Sequence, residues 1–206
     1  VRFGRAGYRV FASMRDPSRG TALVEQAGKE GWWLRTPVLD VTRDDSVTSA
    51  VAGVLAETGG RIDVLVNNAG YLVIGPVEET TPDELSAQLD TNVVGVLRTL
   101  RAVLPTMRAQ RRGSVVNISS VLGRVVVPAN GIYQSSKWAL EALTETLRYE
   151  LRPFGIRVTC VEPGPFKTEI RQNQVRTGRE LAEGSPYWWM VDRYLQSSGR
   201  LRRGKP

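Results

Sequence analysis

The sequence predicts an α/β protein in which a parallel β-sheet is covered by helices on both faces. Short apolar stretches alternate regularly with amphipathic stretches along the chain, as expected when each strand is followed by a crossover helix. The polar residues that stand out follow the ends of those strands, and ligands bind at that edge of an open parallel sheet. We therefore expect one doubly wound α/β domain whose site lies at the carboxyl edge of its sheet.

The individual elements follow from apolar periodicity and from local start signals such as aspartate followed by proline. Strands are predicted over residues 9–13, 32–39, 62–66, 114–118 and 157–161. A first helix is predicted to end at Gly7, and later helices run from Asp16-Pro17 to about Gly28, from a cap at Thr42 and Asp45 to about Thr58, from Pro82 towards Arg112, and from Tyr133 to about Leu151. Strands and helices are thus predicted to alternate from the first strand, at residues 9–13, to the last, at residues 157–161.

Composition excludes several classes of protein. The chain has one cysteine, Cys160, and no histidine. A single cysteine excludes an internal disulfide framework, and the lack of histidine removes serine–histidine hydrolase chemistry and the commonest zinc ligand, so we expect no metal site. The apolar stretches are shorter than a membrane span and no secretory leader is present, so we expect a cytoplasmic protein without a membrane span.

The positive charge of the chain is concentrated near its carboxyl end. The net charge is +7, but residues 1–170 carry 20 basic and 18 acidic side chains, whereas residues 171–206 carry 8 and 3. The excess is either a solvated basic tail or a contact for an anionic surface or substrate. No nucleic-acid-binding motif is present, so we expect no nucleic-acid partner.

Tyr133 and Lys137 are the first candidate catalytic residues. A separation of four residues on a helix places both side chains on one face. A free phenol has a pKa near ~10, and an ammonium group about 5 Å away lowers that pKa by favouring the phenolate. The chain contains 24 arginines and only four lysines, so a lysine here indicates a need for a compact ammonium group. The alternative is an incidental pair of surface residues.

Ser120 and Asn92 are weaker candidates. Ser120 follows a predicted strand, where its hydroxyl could orient a carbonyl or alcohol oxygen towards Tyr133. A loop-opening serine is the alternative, and Ser119 is its rival by adjacency. Asn92 lies in the apolar part of a long helix and needs a hydrogen-bonding partner there, so it is either a catalytic group or a satisfied core asparagine.

Taken together, these residues resemble the short-chain dehydrogenase/reductase family in their order and spacing. The resemblance rests on residues 67–70 (Asn-Asn-Ala-Gly), Asn92, Ser120, Tyr133 with Lys137, and Pro163-Gly164 followed by Thr168. It covers about residues 1–170. The segments 7–16 and 163–170 are most similar to the branches that include hydroxysteroid and retinol dehydrogenases.

The resemblance implies a Rossmann-type sheet and hydride transfer between a nicotinamide cofactor and a carbonyl or alcohol. In this family Tyr133 would be the acid in reduction and the base in oxidation, Ser120 would orient the substrate oxygen, and Lys137 would bind the nicotinamide ribose and lower the pKa of the tyrosine. Asn92 would hold a water molecule of a proton relay. The cofactor would also contact Asp40 and Val41 at the adenine, Asn67, Ala69 and Gly70 along its length, Pro163 and Gly164, and Thr168 at the carboxamide.

The end of the first strand bears on the choice of cofactor. An acidic residue there would bind the adenosine ribose, whereas an arginine would bind the 2′-phosphate of NADP(H). Here Met14 stands in the acidic position and Arg15 follows it, so NADP(H) is favoured over NAD(H). Asp16 either pairs with Arg15, which would weaken this preference, or caps the following helix.

Two parts of the family pattern are missing from this sequence. No glycine is followed by another at the second next position, and the first strand and glycine-rich loop would precede Val1. We therefore expect residues 1–170 to form an incomplete dinucleotide-binding domain, truncated at its amino end and also at its carboxyl end, with residues 171–206 as a basic segment that covers the substrate. The alternative is a non-catalytic relative that serves as a binding or interaction module.

Substrate and assembly are expected only in outline. Residues 121–132 and 185–191 are apolar and aromatic, as in a lid over a hydrophobic substrate, although ordinary helix packing explains the same composition. The family resemblance implies a small-molecule carbonyl or alcohol substrate. It also implies a homodimer or homotetramer formed through the helices at residues 82–112 and 133–151.

Overall fold

The computed structural model describes residues 1–164, 175–176 and 185–197 and confirms the predicted α/β class. The strands are β1 (Val10–Phe11), β2 (Leu34–Arg35), β3 (Val64–Asn67), β4 (Val73–Ile74), β5 (Gly113–Ile118), β6 (Ile156–Val161) and β7 (Val175–Arg176). The α-helices are α1 (Arg2–Arg5), α2 (Thr21–Glu30), α3 (Asp44–Thr58), α4 (Pro82–Leu89), α5 (Gly95–Gln110), α6 (Gly131–Leu151) and α7 (Trp188–Ser197).

All strand pairs in the described part of the chain are parallel. The main sheet has the order β3-β5-β6, and Val64 of β3 lies opposite Ser114 of β5. A second sheet joins β1 to β2, and a third joins β4 to β7. Parallel neighbours require crossover connections, and α5 and α6 supply them in the main sheet. The carboxyl ends of β3, β5 and β6 therefore lie side by side.

Two of the predicted helix starts have different outcomes. Asp16 caps a short 3₁₀ turn that leads into α2, because its Oδ1 atom accepts hydrogen bonds from the amide and hydroxyl of Ser18. The cap predicted at Thr42 is wrong: Arg43 is the N-cap residue of α3, and the Thr42 hydroxyl donates to Asp40 instead. A local side-chain bond within the turn has displaced the cap.

The long helical stretch that begins at Pro82 is interrupted. Thr81 and Glu84 form a reciprocal capping box at its start. Between α4 and α5 the residues Asp90–Val94 form a π turn, in which the backbone widens by one residue. Such turns often occur at functional sites, and this one carries Asn92.

The main hydrophobic core lies where three helices meet the main sheet. Its buried members come from α3, α5, α6, β5 and β6 and include Met107, Val115 and Leu140, each no more than 1% exposed. Met107 lies over Gly113, where a Cβ atom would approach its sulfur to 2.5 Å. The glycine therefore allows α5 to pack directly on the start of β5.

The second sheet stands apart from the main sheet. Val10 and Ala12 donate their amides to the β2 side, so the backbone groups of Phe11 and Ser13 face the other way. They face β3 across a cavity of about 990 Å³, which Phe11, Ser13, Val64 and Val66 help to line. We call this space the inter-sheet cavity. Within the described residues, the facing edges of β1 and β3 have no strand partner.

Among the residues that the structure describes, no helix is long and apolar enough to cross a membrane.

Candidate active site

The first turns of α6 bring Tyr133 and Lys137 together inside the protein. Each residue is only 5% exposed, which excludes the alternative of an incidental surface pair. The Lys137 Nζ atom lies 5.7 Å from the centroid of the Tyr133 ring and donates a hydrogen bond of 2.8 Å to the carbonyl of Ile118. The end of β5 thus fixes the lysine, which holds its charge beside the phenol.

Ser120 completes this group. It lies two residues beyond β5, where its Oγ atom accepts a hydrogen bond from the Leu122 amide at 3.1 Å, and its hydroxyl is close enough to the Tyr133 phenol to lower the pKa of that phenol. Its rival Ser119 is buried, and its hydroxyl has no hydrogen-bonding partner among the described residues. The structure therefore favours Ser120 over Ser119 as the residue that meets Tyr133.

Burial governs the ionisation of both groups on α6. It raises the pKa of Tyr133, while the hydrogen bond with Ser120 acts in the opposite direction. Burial also lowers the pKa of Lys137 to about 8, which Cys160 and Glu141 partly oppose. The protein alone therefore leaves the Tyr133 phenol neutral at pH 7, and the expected lowering of its pKa by Lys137 is not seen.

Asn92 lies in the π turn and is 1% exposed. Its Oδ1 atom accepts a hydrogen bond from the Tyr71 amide, and its Nδ2 atom donates to the Tyr71 carbonyl and to Ser136 Oγ, at 3.0–3.1 Å. The side chain is thus a satisfied core amide. It ties the segment that follows β3 to α6, one residue before Lys137.

Asn67 belongs to a buried chain of hydrogen bonds beside this group. Its Nδ2 atom donates to Asn117 Oδ1 at 2.9 Å, and its Oδ1 atom accepts from Thr99 Oγ1 at 2.7 Å. Asn117 in turn donates to Thr144 Oγ1 at 2.9 Å. These four residues, which we call the polar seam, link α5, β3, β5 and α6. The side-chain amide of Asn67 therefore has both ends occupied within the protein and holds the sheet edge in place; its contact with a cofactor stays a prediction.

Gly70 permits a close approach at this edge. A Cβ atom there would lie 3.1 Å from Asn92 Oδ1 and 3.9 Å from Lys137 Nζ, so glycine keeps space open in front of the lysine. Its neighbour Ala69 is exposed. Backbone that is open to solvent beside a buried ammonium group fits a ligand with ribose hydroxyls and phosphates.

Asp40 and Val41 lie between β2 and α3, beyond the carboxyl end of the second sheet. Hydrogen bonds from the Thr42 amide and hydroxyl lower the pKa of Asp40, and the positive charge of Arg15 contributes to this shift. The carbonyl of Val41 accepts a hydrogen bond from Arg98 at 3.1 Å. Arg15 is exposed near Asp40, and Asp16 is occupied by its helix cap, which resolves the alternative that Asp16 pairs with Arg15.

The last predicted cofactor residues follow β6. The carbonyl of Pro163 accepts a hydrogen bond from the Val121 amide at 3.1 Å, which joins this segment to the turn after Ser120. Gly164 has open space around its Cα atom. Thr168 lies outside the described residues.

Helix α7 packs over Tyr133. Val191 is fully buried in a cluster that includes Tyr133, Leu72 and Ile74, and the Tyr194 hydroxyl donates to Asn130 Oδ1 at 3.2 Å. Residues 188–191 are thus packed helix, and the surface that they pack on is the candidate site itself. Helix packing thus explains the buried Val191, whereas Trp189 is 67% exposed; the lid over a substrate stays a prediction.

Sequence reasoning missed several residues that support the site. Ser136 and Thr144 are fully buried hydrogen-bonding partners of Asn92 and Asn117, and Glu141 is 4% exposed. Glu141 and Thr144 lie four and seven residues after Lys137, on the same face of α6. Polar residues at this spacing on a buried face were the available signal.

Comparison with known proteins agrees with this geometry. The family model described as short chain dehydrogenase matches residues 1–178. Over 168 residues the chain is 42% identical to a 3-ketodihydrosphingosine reductase from Bacteroides thetaiotaomicron. The matched region covers 82% of this chain and 58% of that protein. Over 167 residues the chain is 40% identical to retinol dehydrogenase 8 from Bos taurus. This matched region covers 81% of this chain and 53% of that protein.

A solved structure shares the fold. Gluconate 5-dehydrogenase from Burkholderia cenocepacia, in complex with NADP and tartrate, superimposes with a TM-score of 0.76 at 30% identity, over 82% of this chain and 66% of that one. The chain thus spans little more than half the length of the curated relatives named above. The parallel sheet, the buried Tyr133–Lys137 pair and these matches have one common explanation: the chain belongs to the short-chain dehydrogenase/reductase family.

Proposed function

We propose that this chain carries the proton-transfer site of an oxidoreductase that moves a hydride between NADP(H) and the carbonyl or alcohol group of a hydrophobic small molecule. The observation that carries the proposal is the buried meeting of Ser120, Tyr133 and Lys137 at the carboxyl edge of the main sheet. The relatives are named as reductases and dehydrogenases, which does not favour a non-catalytic binding module.

The proton step is assigned to the Tyr133 hydroxyl. Its raised pKa keeps the phenol protonated at neutral pH, which is the form that donates a proton to a ketone oxygen during reduction. Ser120 holds the substrate oxygen in line with that proton. Lys137, fixed by the Ile118 carbonyl, is the cation that faces the phenolate that remains, although its charge does not lower the pKa of Tyr133 in the protein alone. In the oxidative direction Tyr133 must first lose its proton, which its pKa disfavours in the protein alone.

The residues present fit a nicotinamide dinucleotide. Gly70 leaves open backbone before Lys137, and Arg15, near Asp40, is proposed to bind the adenosine end together with Asp40 and Val41. The bound cofactor would supply the hydride, and its oxidised ring would add a positive charge near the phenol. Asn92 has both ends of its amide occupied, so a water molecule of the relay would have to bind its main-chain carbonyl.

The test of this site uses two tyrosines of one helix. Tyr133→Phe should lower turnover of a ketone with NADPH by about 100-fold or more, because it removes a general acid, while cofactor affinity stays near that of the unchanged protein. Tyr149→Phe is the matched control, since Tyr149 lies on α6 with 78% of its surface exposed. Turnover in the Tyr133→Phe protein close to that of the unchanged protein would exclude the mechanism. Turnover would be measured in this chain and in a longer version that begins with a relative's first strand and glycine-rich turn.

Preference for NADP(H) is proposed to depend on Arg15. Arg15 is exposed beside Asp40 and is not engaged by Asp16, so its guanidinium is available for a 2′-phosphate. Arg15→Ala should weaken NADPH binding at least about tenfold more than NADH binding, a difference of roughly 1.4 kcal/mol. Arg152→Ala, an exposed arginine beyond α6 at the opposite edge of the sheet, should change neither. Equal losses for the two cofactors in Arg15→Ala would contradict the preference.

The substrate class follows from the surroundings of Tyr133. Leu72, Ile74, Ala129 and Val191 form an apolar wall around it, and the related reductase and retinol dehydrogenase are named for long apolar molecules. We therefore assign long-chain or polycyclic ketones and alcohols as substrates. Small polar ketones should react more slowly, since they bury little apolar surface.

Assembly is proposed to use α5 and α6. Leu97 and Trp138 on these helices are 39% and 50% exposed, and exposed apolar side chains of this size are typical of protein interfaces. Sedimentation of the chain should detect a dimer or tetramer. Trp138→Glu should shift the protein towards the monomer.

A further inference from the structure

A cluster of polar and charged side chains lies next to Lys137, and none of the roles proposed above uses it. Arg124 follows the turn after Ser120, Glu141 lies on α6, and Cys160 and Glu162 lie at the end of β6. The ligand-type atoms of Glu141, Cys160 and Glu162 are within 4.8 Å of one another. The Arg124 guanidinium stands among them as the positive charge of the cluster.

Both oxygens of the Glu141 carboxylate are engaged. Arg124 Nη2 donates to Oε2 at 3.0 Å, and Cys160 Sγ donates to Oε1 at 3.3 Å. Arg124 also donates to Glu162 Oε1 at 3.2 Å. The Glu141 side chain is 6% exposed, whereas that of Arg124 is 50% exposed. A carboxylate this deeply buried depends on such partners for both its charge and its orientation.

Glu141 lies on the catalytic face of α6. Tyr133, Lys137 and Glu141 are successive residues at intervals of four, and each is 4–5% exposed, so they form one buried row. The titratable groups that face Lys137 are Tyr133 and Glu141 from α6 and Cys160 from β6. Beyond these, β5 offers the Ile118 carbonyl.

At neutral pH one of these groups supplies the negative charge. Burial lowers the pKa of Lys137 to about 8, while Cys160 and Glu141 act to raise it. Burial and the hydrogen bond with Glu141 raise the pKa of the Cys160 thiol to about 11, so the thiol is uncharged at pH 7. Glu141, paired with Arg124, is then the group on α6 that favours the ammonium form of Lys137.

The loop after Ser120 is shaped to lie against Glu141. A Cβ atom at Gly123 would approach Ser119 Oγ to 2.9 Å and Glu141 Oε1 to 3.2 Å. Only glycine allows this close packing, which places Arg124 next to the carboxylate. The contacts of Glu141 with Gly123 and Arg124 therefore fix both the position of the loop after Ser120 and the surroundings of the Glu141 carboxylate on α6.

We propose that Glu141, clamped between Arg124 and Cys160, is a positioning residue that supports the charge of Lys137 and ties the segment after Ser120 to the helix that carries Tyr133. The effect of Glu141 on turnover rests on the proposed function. Its electrostatic and structural effects do not, because they act in the protein without cofactor or substrate.

The test uses the single cysteine of the sequence and the ammonium group of Lys137 as probes. In Glu141→Gln, the pKa of Cys160, followed by thiolate absorbance, should fall below its value of about 11, because the charge of Glu141 is lost while the burial of the thiol remains. The pKa of Lys137, followed by NMR of isotope-labelled lysine, should fall below its value of about 8. Glu150→Gln, an exposed change on the same helix, should leave both values unchanged. Unchanged values in Glu141→Gln would overturn the proposal.

A second variant keeps the proposal testable if Glu141→Gln does not fold. Arg124→Met removes the half-exposed partner, so amides of residues 121–125 should exchange hydrogen severalfold faster, and Arg124→Lys should restore part of their protection. Arg148→Met, which removes an arginine that pairs with Glu145 on the same helix, is the control. Equal exchange in the unchanged protein and Arg124→Met would contradict the clamp.

Activity distinguishes this proposal from the proposed function. In an active version of the protein, Glu141→Gln should move the alkaline fall of the turnover rate to lower pH, because Lys137 would lose its proton earlier, while KM changes little. If no version of the protein turns over a ketone, the proposed function fails. The thiol and lysine titrations still decide the role of Glu141 in that case.

Discussion

The polar seam and the inter-sheet cavity flank the same strand, β3, and differ in how its backbone and side chains are satisfied. On the β5 side, Asn67 joins Asn117, Thr99 and Thr144 in a buried chain of hydrogen bonds of 2.7–2.9 Å. On the other side, β3 faces a cavity of about 990 Å³. Val66, which lines that cavity, is 41% exposed.

This difference shows where the stability of the described structure is concentrated. Buried polar groups that are fully paired make a sheet edge rigid, whereas unpaired strand edges leave backbone groups to water. The Ser120, Tyr133 and Lys137 group lies on the well-packed side. We call the β5 side of β3 the catalytic side and the side of the inter-sheet cavity the cavity side. We therefore expect substitutions of buried residues on the catalytic side to lower the free energy of unfolding more than substitutions on the cavity side.

The largest effect is expected from breaking the polar seam. Asn117→Ala removes a fully buried amide and leaves Asn67 and Thr144 each without one partner, which should lower the free energy of unfolding by about 3 kcal/mol. Asn68→Ala, an exposed asparagine next to the seam, should lower it by less than about 0.5 kcal/mol. Urea unfolding measures both, and similar losses for the two variants would remove the distinction between the sides.

The next effect compares two valines in paired strands. Val115 of β5 is 0% exposed and Val66 of β3 is 41% exposed. Val115→Ala should lower the free energy of unfolding by about 2 kcal/mol, because it removes two buried methyl groups and leaves a cavity, while Val66→Ala should lower it by less than about 1 kcal/mol. A larger loss at Val66 would mean that the cavity side is closed in solution.

The smallest effect is on pH dependence, because two groups on the catalytic side act in opposite directions. The pKa of Lys137 falls from 10.5 to about 8 on folding, so the unfolded state binds more protons between these values and stability rises with pH there. The pKa of Cys160 rises from 9.0 to about 11, so the folded state binds more protons and stability falls with pH in that window.

Single substitutions separate the two contributions. Lys137→Met should remove the rise and leave a net loss of stability as the pH increases above 9.0. Cys160→Ala should remove the fall and leave a net rise between about 8 and 10.5. Thermal unfolding at a series of pH values measures both slopes. Parallel pH profiles for the two variants would show that these shifts do not exist.

Much of the local structure could be predicted from the sequence. The strands at residues 62–66, 114–118 and 157–161 and the helix at residues 133–151 appear within a few residues of their predicted bounds. The cap at Asp16 was predicted correctly because it depends on neighbours two residues away. The cap at Thr42 was not, because its hydroxyl had a choice between two local partners and bonds Asp40.

The site was predictable in part for the same reason. Tyr133 and Lys137 share a helix, so their spacing already placed them together. Ser119 and Ser120 could not be separated by sequence, because which hydroxyl faces Tyr133 depends on the path of the turn after β5. The role of Glu141 was missed because its partners Arg124 and Cys160 are 17 and 19 residues away.

By itself, the sequence determined the alternation of strand and helix, the shared face of Tyr133 and Lys137, and the family to which the chain belongs. These properties depend on local periodicity and on residue order. Only the tertiary structure decided that Asn92 clamps Tyr71 from 21 residues away and that Asn67 meets Asn117 from 50 residues away. It also set the burial that raises the pKa of Tyr133 and lowers that of Lys137, because desolvation depends on everything packed around a group rather than on its neighbours in the chain.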